Sequence, residues 1–86
     1  MKILFNKRFD KTFKKMPLKL RIKFYQQIEL FQENPTNQQL NNHALSGQYF
    51  GYRSIDVSGD VRAIFKETDI NTVRFMDIGT HSQLYG

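Results

Sequence analysis

Leu18-Lys19-Leu20-Arg21-Ile22-Lys23-Phe24-Tyr25-Gln26-Gln27-Ile28-Glu29-Leu30-Phe31 can be read with two periods, and the choice between them sets the fold. In its first half Leu18, Leu20, Ile22 and Phe24 alternate with Lys19, Arg21 and Lys23, which is the signature of a half-buried strand. Over the whole stretch, Leu20, Phe24, Ile28 and Phe31 follow the spacing of three and four that marks one face of a helix. The longer pattern prevails. A helix is expected from about Pro17 to Glu33, because proline suits a first helical position and biases Met16 away from helical angles. Asn34-Pro35 ends it.

Toward the N-terminus, Lys2-Ile3-Leu4-Phe5 reads as a short strand, and Asn6 behind it is a good helix N-cap. Phe9, Phe13 and Met16 then recur at helical spacing, with Lys7, Arg8, Lys11, Lys14 and Lys15 on the other face. Two consecutive helices of this kind predict an antiparallel hairpin lying across a sheet.

Toward the C-terminus, residues 36–47 are polar and rich in Asn and Gln, which predicts an ordered connecting loop anchored by Leu40 and Leu45 and carrying His43. Three strands follow between Tyr49 and Ile78. In the first, Ile55 and Val57 share one face and Ser54 and Asp56 the other; Ser58-Gly59 supplies the turn. The second sets Val61, Ala63 and Phe65 against Arg62, Ile64 and Lys66. Keeping both apolar sets on one face predicts Val57 opposite Val61 and Asp56 opposite Arg62. After a charged turn from Lys66 to Asn71, the last strand sets Val73 and Phe75 on one face and Arg74, Met76 and Ile78 on the other. It stops at Gly79, expected there for its backbone freedom, and delivers Thr80, His81, Ser82 and Tyr85. The fold class expected is α+β over residues 1–86 as a single domain: N-terminal strand, helical hairpin, then a three-stranded antiparallel meander.

A chain of 86 residues allows one modest core and excludes larger catalytic machinery. With no cysteine it has neither a disulfide framework nor a thiolate zinc site. No apolar run approaches the roughly 20 residues needed to cross a bilayer, so a cytoplasmic protein with no membrane partner is the expectation. The net charge of +5 is unevenly placed: residues 1–33 hold nine Lys or Arg against three acids, whereas the remainder holds four against five. A positive patch confined to the helices points to a polyanionic partner, or else to a solvated surface that serves solubility.

Two histidines among scattered carboxylates form no metal-ligand spacing, and no nucleophile turn of the G-x-S-x-G kind is present. Acid-base chemistry on a phosphodiester fits better. An imidazole can give or take a proton near neutrality, and a guanidinium offers a fixed fork of donors to phosphate oxygens. His81 and Arg62 are the candidate pair, with Tyr85 to stack on a base and Asp56 to hold the guanidinium. The competing reading is a surface Arg62–Asp56 salt bridge of under about 1 kcal/mol beside a frayed histidine.

His43-Ala44-Leu45-Ser46-Gly47, Gly51-Tyr52-Arg53, Gly59-Asp60 and the closing Gly79-Thr80-His81-Ser82-Gln83-Leu84-Tyr85 together resemble the RelE/ParE superfamily of bacterial type II toxins, most closely its RelE/StbE and YafQ branch. The resemblance covers nearly the whole chain. It implies a RelE-like, microbial RNase-like fold and an mRNA interferase that cuts messenger in the ribosomal A site, without a cofactor, until a cognate antitoxin inhibits it. Operator DNA would be reached only through that antitoxin.

Position by position, His43, Asp60 and His81 match functional positions of YafQ-like toxins, and Tyr85 sits where that branch has an aromatic residue. Asp56 stands in place of a histidine, Val61 in place of a tryptophan and Asp77 in place of an arginine. Arg62 falls where RelE places a phosphate-binding arginine, and His43 can serve as general base if its loop folds over the sheet. Contact with RNA or ribosome is expected from Lys7, Arg8, Lys11, Lys14, Lys15, Lys19, Arg53 and Lys66. Within the same superfamily, a non-enzymatic gyrase inhibitor of the ParE kind and an inactive toxin kept for antitoxin binding are the alternatives.

Overall fold

A computed structural model describes residues 1–86. In chain order the elements are β1 (Lys2–Phe5), α1 (Lys7–Phe13), α2 (Leu18–Glu33), β2 (His43–Ala44), β3 (Arg53–Ser58), β4 (Val61–Asp69), β5 (Thr72–Thr80) and α3 (His81–Tyr85), with single 3-10 turns at Gln38–Leu40 and Gly47–Tyr49. The strands form one five-stranded sheet in the order β1-β5-β4-β3-β2. The expected meander is its centre. β1 adds to it parallel to β5, and β2, hidden in sequence inside the polar loop, adds antiparallel to β3.

Asn6 caps α1 as its side-chain chemistry dictates: Oδ1 accepts from the Phe9 N–H at 2.8 Å. The break at Pro17 is stitched by Arg21, whose Nε donates to the Met16 carbonyl at 3.1 Å. α2 is helical throughout, and its misleading alternation has a simple origin. Phe24 and Phe31 are buried and Leu20 and Ile28 pack against the core, while Leu18 and Ile22 face solvent at 61% and 49% exposure.

α1 packs on β5 and α2 on β3, so both helices cover one face of the sheet. Seven of the eight phenylalanines meet between the layers: Phe5, Phe9, Phe13, Phe24, Phe31, Phe65 and Phe75. Their ring centroids lie 5.0 to 6.2 Å apart, in the range where tilted and edge-on pairs add to simple burial. One buried polar group crosses the layers. Gln27 on α2 donates its amide to the Asp56 carbonyl at 2.8 Å, tying the helix to the strand that carries Asp56.

Three bulges correct the expected registers. Asp56 does lie opposite Arg62, but Val57 is an extra residue, so Val61 pairs with Ser58 and only Gly59-Asp60 remain in the turn. At the other end the expected turn from Lys66 shrinks to Ile70-Asn71, because β4 stays paired with β5 as far as Asp69, with Thr68 as the extra residue. On β5, Phe65 pairs with Phe75 and Ile64 with Asp77, which makes Met76 the extra residue. Ile78 therefore joins Phe75 in the core, on the face opposite to the one its parity predicts. The reason is chemical: strict alternation after Phe75 would drive the Asp77 carboxylate into the phenylalanine cluster, and the bulge turns it away.

The tail also differs from expectation. β5 runs through Gly79 to Thr80 and closes on a helical turn. Gly79 is there for space: a Cβ would meet the Gln83 side chain at 2.9 Å. Leu45 is only half-buried, leaving Leu40 as the full anchor of its loop. No helix is long and apolar enough to cross a membrane.

Candidate active site

On the sheet face away from the helices, His43, Ser54, Ile64 and Asp77 are successive partners across β2, β3, β4 and β5, and Asp56 and Arg62 form the adjoining pair. Directly opposed residues of antiparallel strands share a face, so this row and pair build one surface. His43, Ser46, Ser54, Arg62, His81 and Tyr85 line an open cleft of about 240 Å³ there. The imidazole beyond the last strand and the guanidinium of β4 share it.

Arg62 is held at two points. Its Nε is 3.1 Å from Asp56 Oδ1, and its Nη1 donates to the Gly59 carbonyl at 2.8 Å. Asn41 Nδ2 lies 3.5 Å from each Asp56 oxygen, so the carboxylate is fixed in turn. The protons on Nη2 have no protein acceptor, which leaves one end of the planar group for an anion. Asp56 thus serves as an orienting partner, committed to the arginine.

His43 is placed by the two-residue strand β2, which folds the polar loop over the sheet edge. Its Nδ1 lies 2.7 Å from the Asn41 carbonyl. A carbonyl oxygen can only accept, so Nδ1 carries the proton and Nε2 presents a lone pair. That is the tautomer a general base needs.

His81 is the first residue of α3. Thr80 caps this turn with a capping box, accepting from Gln83 N at 3.2 Å while Gln83 Oε1 accepts from Thr80 N at 2.8 Å. Tyr49 adds a second tie, its phenol donating to the Leu84 carbonyl at 3.1 Å. The His81 and Tyr85 rings stand 4.8 Å apart. Tyr85 meets Tyr49 edge-on at 5.4 Å, Tyr49 meets Tyr52 at 6.0 Å, and Lys66 Nζ sits 5.3 Å from the Tyr52 ring. Burial, and then the neighbouring Tyr49, raise the Tyr85 phenol above its ordinary value, against smaller pulls from Ser54 and Arg62. At neutral pH Tyr85 is a protonated donor.

The other candidates lie outside the cleft. Asp60 is exposed in the β3–β4 turn. Arg53 is spent on the loop, donating from Nε to Asn42 Oδ1 at 2.8 Å. Lys7, Lys14 and Lys19 are exposed on the helical layer, while Lys11 and Lys15 line a separate groove of about 470 Å³ against Thr80 and Gln83. Arg8 alone reaches toward the sheet face, 3.2 Å from the Asp77 carboxylate. No group of three or more His, Asp or Glu comes together that could hold a metal ion. Sequence reasoning passed over Ser46, Ser54, Tyr49 and Tyr52; the two tyrosines on either side of Phe50-Gly51, next to Arg53, were the available signal.

The family model for YafQ, the bacterial toxin of a type II toxin-antitoxin system, matches residues 1–86. Among solved structures, YafQ from E. coli is similar at a TM-score of 0.80 and 28% identity, covering 98% of this chain and 97% of that one. YafQ in the E. coli DinJ-YafQ complex is similar at a TM-score of 0.70 and 27% identity over 98% and 97%. A YoeB/ParE toxin from Agrobacterium tumefaciens reaches a TM-score of 0.78 at 14% identity over 94% and 99%, a likeness of fold alone. By sequence, no curated protein matches the chain. With the model matched from end to end and the α+β architecture shared, the chain belongs to the YafQ family of bacterial type II toxins.

Proposed function

We propose that this toxin is an mRNA endoribonuclease that works in the cytoplasm on messenger in the ribosomal A site. The observation that carries the reading is the meeting of His43, Arg62, His81 and Tyr85 on one cleft. His43 Nε2 accepts the proton of a ribose 2'-hydroxyl, and the freed oxygen attacks the adjacent phosphorus. Arg62 holds a non-bridging oxygen as charge builds on the phosphorane. His81, as imidazolium, gives its proton to the departing 5' oxygen. The products are a 2',3'-cyclic phosphate and a free 5'-hydroxyl, and the bond to the 5' oxygen is the one that breaks. Tyr85 and the aromatic row behind it stack on a base near the scissile linkage, a sequence-tolerant contact.

E. coli YafQ has been solved in complex with DinJ, and by that likeness the present toxin has a cognate antitoxin, through which alone it reaches operator DNA. Cleavage on programmed ribosomes tests the chemistry. We expect His43→Ala and His81→Ala each to lower the rate about 100-fold or more. Intact messenger together with gyrase-linked DNA breaks would replace this reading with the ParE-like one.

A further inference from the structure

Ser54 sits on β3 between His43 of β2 and Ile64 of β4, and its side chain has no exposed surface. Its Oγ is the only buried side-chain nitrogen or oxygen in the chain that has no hydrogen-bond partner. Native proteins pair nearly all such atoms, because a buried donor without an acceptor has lost its water for nothing. An alanine would fill the same space without that loss. What distinguishes the position is its surroundings: the residue lines the cleft with Arg62, His43, His81 and Tyr85. The Tyr85 phenol is its one hydrogen-bonding neighbour, near enough for the hydroxyl to pull the phenol's pKa down, yet the contact is too loose to satisfy Oγ. Arg62 presents one unpartnered end of its guanidinium to the same space.

A phosphorane has two non-bridging oxygens, and one guanidinium end serves one of them well. We propose that the Ser54 hydroxyl donates a hydrogen bond to the other non-bridging oxygen of the scissile phosphate, making Ser54 a further catalytic residue; this rests on the nuclease reading above. Oγ has no exposed surface in the free protein, so the Tyr85 ring beside it shifts as it stacks on a base, and the reacting group then supplies the acceptor that Oγ lacks. No bond is made or broken at Ser54; its proton stays on Oγ throughout.

Single-turnover cleavage on programmed ribosomes, with thermal melts of the free proteins, tests the assignment. Ser54→Ala is expected to slow cleavage about 100-fold at saturating ribosome, the cost typical of one lost oxyanion donor, while its Tm stays level or rises. A messenger carrying one sulfur at the scissile phosphate sharpens the test. For the diastereomer whose sulfur replaces the oxygen facing Ser54, wild type is already slowed and S54A adds no further defect; for the other, the full defect remains. A wild-type rate in S54A overturns the proposal and leaves the nuclease reading standing. So does a rate loss that accompanies a lower Tm and falls equally on both diastereomers. Messenger left intact by the wild-type protein overturns both.

Discussion

Tyr85 shows how one side chain couples the cleft to the solvent conditions outside it. Its phenol is raised above 10.0 first by burial and then by Tyr49. A group whose acid form is favoured in the folded state stabilises the fold fully below its unfolded pKa and ceases to do so as pH climbs through the folded one. Stability should therefore decline as pH rises past 10.0, by more than in Tyr85→Phe, which has no phenol to ionise. Paired urea titrations from pH 8 to pH 11 read the difference, and parallel curves would deny the phenol this role. His43 teaches the complementary lesson about legibility. Nothing in its own neighbourhood of Asn and Gln marks it as reactive, because the acceptor that fixes its tautomer is a backbone carbonyl. Asn41, which supplies it, takes a left-handed φ of 47° that asparagine tolerates better than most residues.

At the scale of elements, alternation identified every long strand and Asn6 identified the start of α1, since each signal is local. The bulges were not legible, because each answers a conflict between one residue and the distant core. Ile78 is only 1% exposed, on a face that it reaches because Met76 is inserted before it, and no period reveals that insertion. α3 is the clearest case of an element hidden by its size. Five residues are too few to show a period, yet the Thr80-Gln83 box is written plainly in the sequence at N-cap and N3. Thr80→Ala deletes the acceptor for Gln83 N and should cost about 0.5–2 kcal/mol, with the melting temperature lower by several degrees. Because that turn carries His81 and Tyr85, cleavage should fall with it, and Thr80→Ser should restore both. Hydrogen exchange at residues 81–86 locates the effect: faster exchange confined to α3 is expected, and unchanged exchange there with a lowered rate would contradict it.

Over the whole molecule, the two faces of the sheet divide the labour that the sequence mixed together. The basic excess of residues 1–33 was legible by counting, and its reading as an RNA-binding surface was natural. Its placement was not, since only the packing of α1 and α2 on the core face puts most of that charge on the side away from the cleft. Lys7, Lys14 and Lys19 are exposed and without ion pairs, so they are free to meet phosphates that are not being cut. On the nuclease reading proposed above, ribosomal RNA would offer such phosphates in abundance, and the messenger would lie across the opposite face. Replacing the three lysines with glutamine should then raise the ribosome concentration at half-saturation and leave the rate at saturation intact. The salt dependence of binding should also flatten, by about 0.7–0.9 in log–log slope for each phosphate contact removed. The opposite pattern, an unchanged half-saturation and a lower saturating rate, would move these lysines to the scissile strand and require the messenger to wrap around the sheet edge past Arg8.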